Sequence, residues 1–321
     1  MMLKSRMKQI GSVTLMALLT VGAVALVHTA KAEEAKAKAP EVKGNPALEV
    51  PEKDWPALQK QQVWAEQKID SMKLRSQWIK VPSGDRKINA WVVYPKQKKK
   101  TPVVIVLHEA MGMTHSTRLT AANLAKMGYV AIAADMASGL GPNQGDVNSF
   151  TEPGKVTFTL AHRTTASINA DLNALGDYAK QLPESNGKLA MLGLSWGGGA
   201  AFRFVATEHR EDLKAIFVFY DIGPPRETQK TADATKPISV ADIAVPVYGF
   251  YPTHDGRTMT GVQPTKDAMA AAGKHFDAVV YENTDHAFLR CWEDPSNNNP
   301  VNGEAYKDAM QRVAAGLAKI R

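Results

Sequence analysis

The chain has 321 residues, of which 44% are hydrophobic and 22% charged, and its formal net charge is +7. That balance excludes a disordered or fibrous protein and supplies enough apolar residues for one large core. No basic stripe interleaved with aromatics is present, so nucleic acid is not an expected partner, and a single cysteine, Cys291, rules out an internal disulfide.

Residues 1–32 read as a secretory signal peptide. Lys4, Arg6 and Lys8 precede an apolar run over residues 10–27, and Ala30-Lys31-Ala32 offers a small-residue cleavage site before Glu33. The run is also long enough to span a bilayer, which makes an uncleaved anchor the rival reading. The polar Glu33-Glu34-Ala35-Lys36 that follows favours cleavage, and hence an exported chain, periplasmic or secreted, with no membrane attachment afterwards. Cleavage removes Lys4, Arg6, Lys8 and Lys31 and no acid, so the net charge falls to +3. In an oxidising compartment a lone thiol is best kept buried, and Cys291 is read as packing.

Residues 33–75 form a linker and an N-terminal helix. The linker, 33–53, is rich in Ala, Lys, Glu and Pro, and the amphipathic stretch 54–72 carries Leu58, Val63, Trp64 and Ile69 with Pro56 in its first turn. Residues 76–321 form the main domain. Strands at 76–81 and 87–94 flank a Pro-Ser-Gly-Asp turn and predict a β-hairpin. Four lysines within residues 96–100 mark an exposed turn. The continuous apolar run 103–107 predicts a strand buried on both faces. Then come a loop at 108–115, a helix at 117–127, a strand at 129–134, a Gly- and Asn-rich loop at 138–153 and a helix at 164–182. Strands at 189–194, 215–220, 245–251 and 278–281 alternate with helices at 200–206, 265–272 and 304–320. A hairpin followed by alternating strands and helices predicts an α/β fold, a mostly parallel sheet with helices on both faces.

The chemistry centres on Gly193-Leu194-Ser195-Trp196-Gly197, which fits the nucleophile-elbow pattern G-x-S-x-G between an apolar strand and a small-residue helix. Small residues two before and two after the serine let strand and helix approach closely. A serine nucleophile needs a base, and the base an orienting acid, in the chain order Ser, acid, His. His286 sits just past the carboxyl end of a late strand, whereas His275 falls at the end of a helix. Asp255, in the loop after the preceding strand, is the acid. Asp242 falls at the wrong edge of the sheet, and Asp285 adjoins His286 but would point away from its ring. The oxyanion hole is assigned to the N–H groups of Trp196 and Ala110. His108-Glu109-Ala110-Met111-Gly112 departs from the zinc motif H-E-x-x-H at its last position and follows a strand, so no metal is expected, nor any organic cofactor.

On the His-Glu-Ala-Met-Gly segment, the Gly-Leu-Ser-Trp-Gly-Gly elbow, Asp255 after a Gly-Phe-Tyr strand and His286-Ala-Phe-Leu-Arg290, the chain from about residue 76 onward resembles the dienelactone hydrolase family of α/β-hydrolases. The resemblance implies triad roles for Ser195, Asp255 and His286, an oxyanion N–H at Ala110, a carboxylate, Glu109, near the nucleophile, and a contact from Arg290 to a substrate carboxylate. It departs from the founding enzymes in carrying serine where they use cysteine. Asp135-Met136-Ala137-Ser138-Gly139 also lacks the second arginine of the dienelactone-cleaving members. Both changes weaken the case for dienelactone itself and leave ester hydrolysis intact. The expected function is cleavage of a small carboxylic ester or lactone through an acyl-enzyme. The alternatives are a catalytically silent hydrolase fold that binds a ligand or partner, and a peptidase or amidase on the same scaffold.

Overall fold

The computed structural model describes residues 62–221, 239–297 and 299–321. Every described residue belongs to the unit spanning residues 42–321; the other unit, residues 1–41, lies wholly outside them. The signal peptide, the linker, the first part of the N-terminal helix and most of the segment between the strands expected at 215–220 and 245–251 therefore fall outside the described residues.

The apolar runs become strands: β1 (Ser76–Ser83), β2 (Arg86–Val93), β3 (Thr101–Leu107), β4 (Val130–Ala134), β5 (Ser185–Leu194), β6 (Leu213–Phe219), β7 (Val247–Pro252) and β8 (Phe276–Tyr281). They form one eight-stranded sheet in the order β1-β2-β4-β3-β5-β6-β7-β8. β1 and β2 make the hairpin, β2 pairs antiparallel with β4, and every later neighbour pair is parallel. Every residue of β3 is buried, with 103–107 fully enclosed, as a continuous run of Val, Ile and Leu requires in the centre of a parallel sheet.

Alternate side chains of β3 feed two cores. Val103, Ile105 and Leu107 join the core beneath α3 (Pro153–Ala161), α4 (Thr165–Lys180), α5 (Trp196–Thr207) and α6 (Gly256–Ala271). Val104 and Val106 join the core beneath α1 (Val63–Ser71), α2 (His115–Lys126), α7 (Phe288–Glu293) and α8 (Pro300–Ala318). The chain leaving β3 enters α2 on one face, and the chain leaving β5 enters α5 on the other. Between their carboxyl ends the loops part in opposite directions, and such a switch point opens a crevice. Ser195 stands at its edge, immediately after β5.

The structure differs from the sequence reading at three helices. α3 and α7 were not expected, and α6 begins at Gly256 rather than 265. Pro264 lies inside α6 and is exposed, so water can replace the hydrogen bond its ring removes from the Thr260 carbonyl. The start of α6 is set by Asp255, whose carboxylate accepts the Thr258 N–H at 3.1 Å.

A buried charge cluster pins the hairpin and the loop after β4. Asp171 of α4 is fully buried and accepts from Ser83 Oγ at 2.6 Å, Arg86 at 2.9 Å and Arg163 at 2.7 Å. The same arginines donate onward to the carbonyls of Ser138 and Met136. Removing the carboxylate leaves two cations facing each other with little water. Asp171→Ala is expected to lower unfolding free energy in urea titration by about 3–5 kcal/mol, and Asp171→Asn, which keeps an acceptor, by less.

Candidate active site

At Ser195 the backbone adopts φ 50° and ψ −117°, a left-handed conformation that costs a non-glycine residue of order 1–3 kcal/mol. The surrounding glycines make it possible. A Cβ on Gly193 would strike the Gly197 carbonyl, and one on Gly197 would lie 2.5 Å from the Leu107 carbonyl oxygen. Stripped of side chains, strand and helix close up: Gly197 N–H donates to the His108 carbonyl at 3.1 Å and Ser195 N–H to the Phe219 carbonyl at 3.0 Å.

The two proposed oxyanion donors flank this junction. Trp196 is the first residue of α5, where an N–H has no partner within the helix. Neither its N–H nor that of Ala110 donates a hydrogen bond among the described residues. Ala110 is buried, and its carbonyl accepts from Thr157 Oγ1 of α3 at 3.1 Å, so the unexpected helix fixes the loop after β3.

His286 and Asp255 meet at the carboxyl ends of β7 and β8: Nδ1 donates to Asp255 Oδ2 at 2.6 Å. That bond places the ring proton on Nδ1 and leaves Nε2 as a base. The Tyr220 ring meets the imidazole edge-on at 5.1 Å. Burial alone would raise the Asp255 pKa. Hydrogen bonds from His286 and from Thr258 N–H and Oγ1, with the charges of His286 and Arg257, more than offset this and hold it down at about 2. Asp255 is thus an anion across the physiological range. Among the described residues Ser195 Oγ makes no hydrogen bond, to His286 Nε2 or otherwise.

Glu109 lies beside the elbow and is paired with Arg290, whose Nε donates to Oε2 at 3.1 Å. The Arg290 Nη groups donate no hydrogen bond among the described residues. Tyr220, at φ 42°, buries its hydroxyl close to Glu109, with no hydrogen-bond partner among the described residues. Burial, reinforced by the Glu109 charge, pushes that phenol well above its ordinary pKa. Cys291 is buried, with its thiol raised by burial, as expected of a packing residue. The Asp285 carboxylate bonds His254, Asn302 and Asn299, whereas the His286 ring bonds Asp255.

His108, Tyr220, Arg257 and Thr258 are the residues that sequence reasoning missed. His108 is fully buried, with Nδ1 donating to the Glu109 carbonyl at 2.7 Å and Nε2 accepting from Met136 N–H at 3.1 Å. Its ring stacks on Trp196 at 5.5 Å. Burial, with the nearby Arg163 charge, lowers its pKa from 6.5 to about 4. Between those values the unfolded chain binds a proton that the folded chain refuses, so stability present above pH 6.5 drains away as pH falls toward 4. His108→Gln can keep both hydrogen bonds without titrating. Urea titrations at pH 7 and 4.5 are expected to show a smaller acid loss in the variant, by about 2 kcal/mol.

Comparison with known proteins supplies the family. The model of the dienelactone hydrolase family matches residues 88–320. A Methylorubrum extorquens protein named "Putative carboxymethylenebutenolidase" is 29% identical over 214 residues, covering 65% of this chain and 71% of its own. A Yersinia pestis protein of the same name is 29% identical over 240 residues, covering 73% and 84%. The crystal structure of a "Putative Dienelactone Hydrolase" from Klebsiella pneumoniae superposes with a TM-score of 0.65 at 27% identity, covering 76% of this chain and 98% of that one. The strand order, the switch point and this match together place the chain in the dienelactone hydrolase family, as a hydrolase of the α/β-hydrolase fold.

Proposed function

We propose that the protein is an exported serine hydrolase that cleaves small carboxylic esters or lactones through an acyl-enzyme. The observation that carries this reading is the His286–Asp255 pair, which presents a free Nε2 on the same sheet edge as a serine held in a strained turn between two unpartnered N–H groups. Ser195 Oγ attacks the substrate carbonyl while His286 Nε2 takes its proton. The Trp196 and Ala110 N–H groups receive the negative charge that builds on the carbonyl oxygen. His286 returns the proton to the leaving alkoxide, or to the ring oxygen of a lactone. Water, deprotonated by the same nitrogen, then adds to the acyl carbon, and as the Ser195–acyl bond breaks His286 returns the proton to Ser195 Oγ and the acid leaves. Asp255 fixes the tautomer and stabilises the imidazolium. Arg290 offers its Nη groups to a carboxylate on the substrate. Export rests on the basic residues, apolar run and Ala30-Lys31-Ala32 site at the N-terminus.

Ser195→Ala is expected to lower kcat on a short-chain p-nitrophenyl ester by about 10⁴-fold or more, and a fluorophosphonate probe to label Ser195 stoichiometrically. Absence of labelling would support a silent binding fold instead. Across esters with and without a free carboxylate, Arg290→Gln is expected to reduce the preference for the acidic substrate by about tenfold to 100-fold in kcat/KM, the range of a hydrogen bond to a charged group.

A further inference from the structure

The dipeptides His254-Asp255 and Asp285-His286 lie side by side and form two His–Asp pairs. The inner pair joins Asp255 to His286 at 2.6 Å, and the outer joins His254 Nδ1 to Asp285 Oδ1 at 2.9 Å. The reaction proposed above uses only the inner one. The outer pair is partly exposed, 52% for His254 and 40% for Asp285, which would ordinarily make it energetically negligible.

Both partners are nevertheless held in place by further hydrogen bonds. Asp285 Oδ2 accepts from Asn302 Nδ2 at 2.9 Å, and Asp285 N–H donates to Asn302 Oδ1 at 3.0 Å. Asn302 belongs to the first turn of α8 and is fully buried. On the other side His254 N–H donates to the Thr284 carbonyl at 3.1 Å, Thr253 N–H to the Tyr281 carbonyl at 3.0 Å and Asn283 N–H to Thr253 Oγ1 at 2.8 Å. The bond from His254, with those of Asn302 and Asn299, holds the Asp285 carboxyl below its usual range despite some burial. Hydrogen bonds thus run from Asn302 in the first turn of α8 through Asp285 to the His254 side chain, and the peptide bond joins His254 to Asp255. Because Nδ1–H is the donor, the outer bond does not require a charged imidazole.

We propose that His254 is a positioning residue: bonded to Asp285, it ties the loop after β7 to the loop after β8 and sets Asp255 against His286. The proposal rests on the serine-hydrolase reading. His254 and Asp255 are consecutive, so a displacement of the outer side chain is passed to the inner carboxylate. Misplacement by about 1 Å is enough to cost 100-fold in rate.

The test measures kcat and KM of the full chain on a p-nitrophenyl ester for wild type, His254→Ala, His254→Asn and Ser195→Ala, with the His286 Nδ1 proton followed by ¹H–¹⁵N NMR. His254→Ala is expected to lower kcat by about tenfold with KM within about twofold, a part of the full misplacement penalty, and to shift the Nδ1 resonance. His254→Asn, whose amide restores the donor, recovers most of both. An unchanged kcat and resonance in His254→Ala overturns the proposal, as does an Asn variant as impaired as Ala. If Ser195→Ala stays active, the serine-hydrolase reading itself fails, a separate outcome.

Discussion

A single backbone hydrogen bond, from Gly197 N–H to the His108 carbonyl, sets the spacing between the loop after β3 and the helix after β5. One side carries Ala110, the other Ser195 and Trp196, so the geometry of the proposed oxyanion hole follows from that bond. It can form only because Gly193 and Gly197 lack side chains, and only because two adjacent parallel strands send their helices to opposite faces. The stacked rings of His108 and Trp196 seal the same junction. The strain at Ser195 is thus carried by a well-packed frame, which is how such strain persists.

Electrostatics at the far side of the crevice work in the opposite sense to burial. Asp255 is nearly enclosed, yet donors from His286 and Thr258 converge on it and Arg257 lies 3.8 Å away. A carboxylate so satisfied can stabilise an imidazolium without taking its proton. Glu109 and Arg290 are close to one another in a similarly dry setting, where each compensates the other's charge. The site therefore contains two ion pairs, Asp255–His286 and Glu109–Arg290.

Much of this was legible in the chain itself. Period-2 patterning located the hairpin, continuous apolar runs located β3 and β5, and the glycine spacing around Ser195 announced the turn. These signals are local, and the topology that follows from them is strongly constrained. The parts that were not legible depend on distant partners. α7 has only six residues, too few to stand on propensity, and forms because Phe288 and Leu289 enter the core. α3 is held by Val156 and Leu160 in the same way. His108 was read as part of a failed metal motif, because its real partner, the Met136 N–H, lies 28 residues away. Tyr220 looked like the end of a strand, and nothing nearby in sequence signals that Glu109 approaches it. The early turns of α6, which the expected start at residue 265 leaves out, depend on the Asp255 carboxylate that accepts the Thr258 N–H.

The division of labour between the rigid junction and the loops beyond it has an evolutionary consequence. The residues proposed to react, Ser195, Asp255 and His286, sit just beyond the carboxyl ends of their strands. The walls that would meet the rest of a bound molecule come from segments such as the one after β4, whose anchor at Asp171 lies outside the reacting cluster. Descendants of this chain can therefore exchange those walls, and with them the molecules admitted, while the residues proposed to react stay in place.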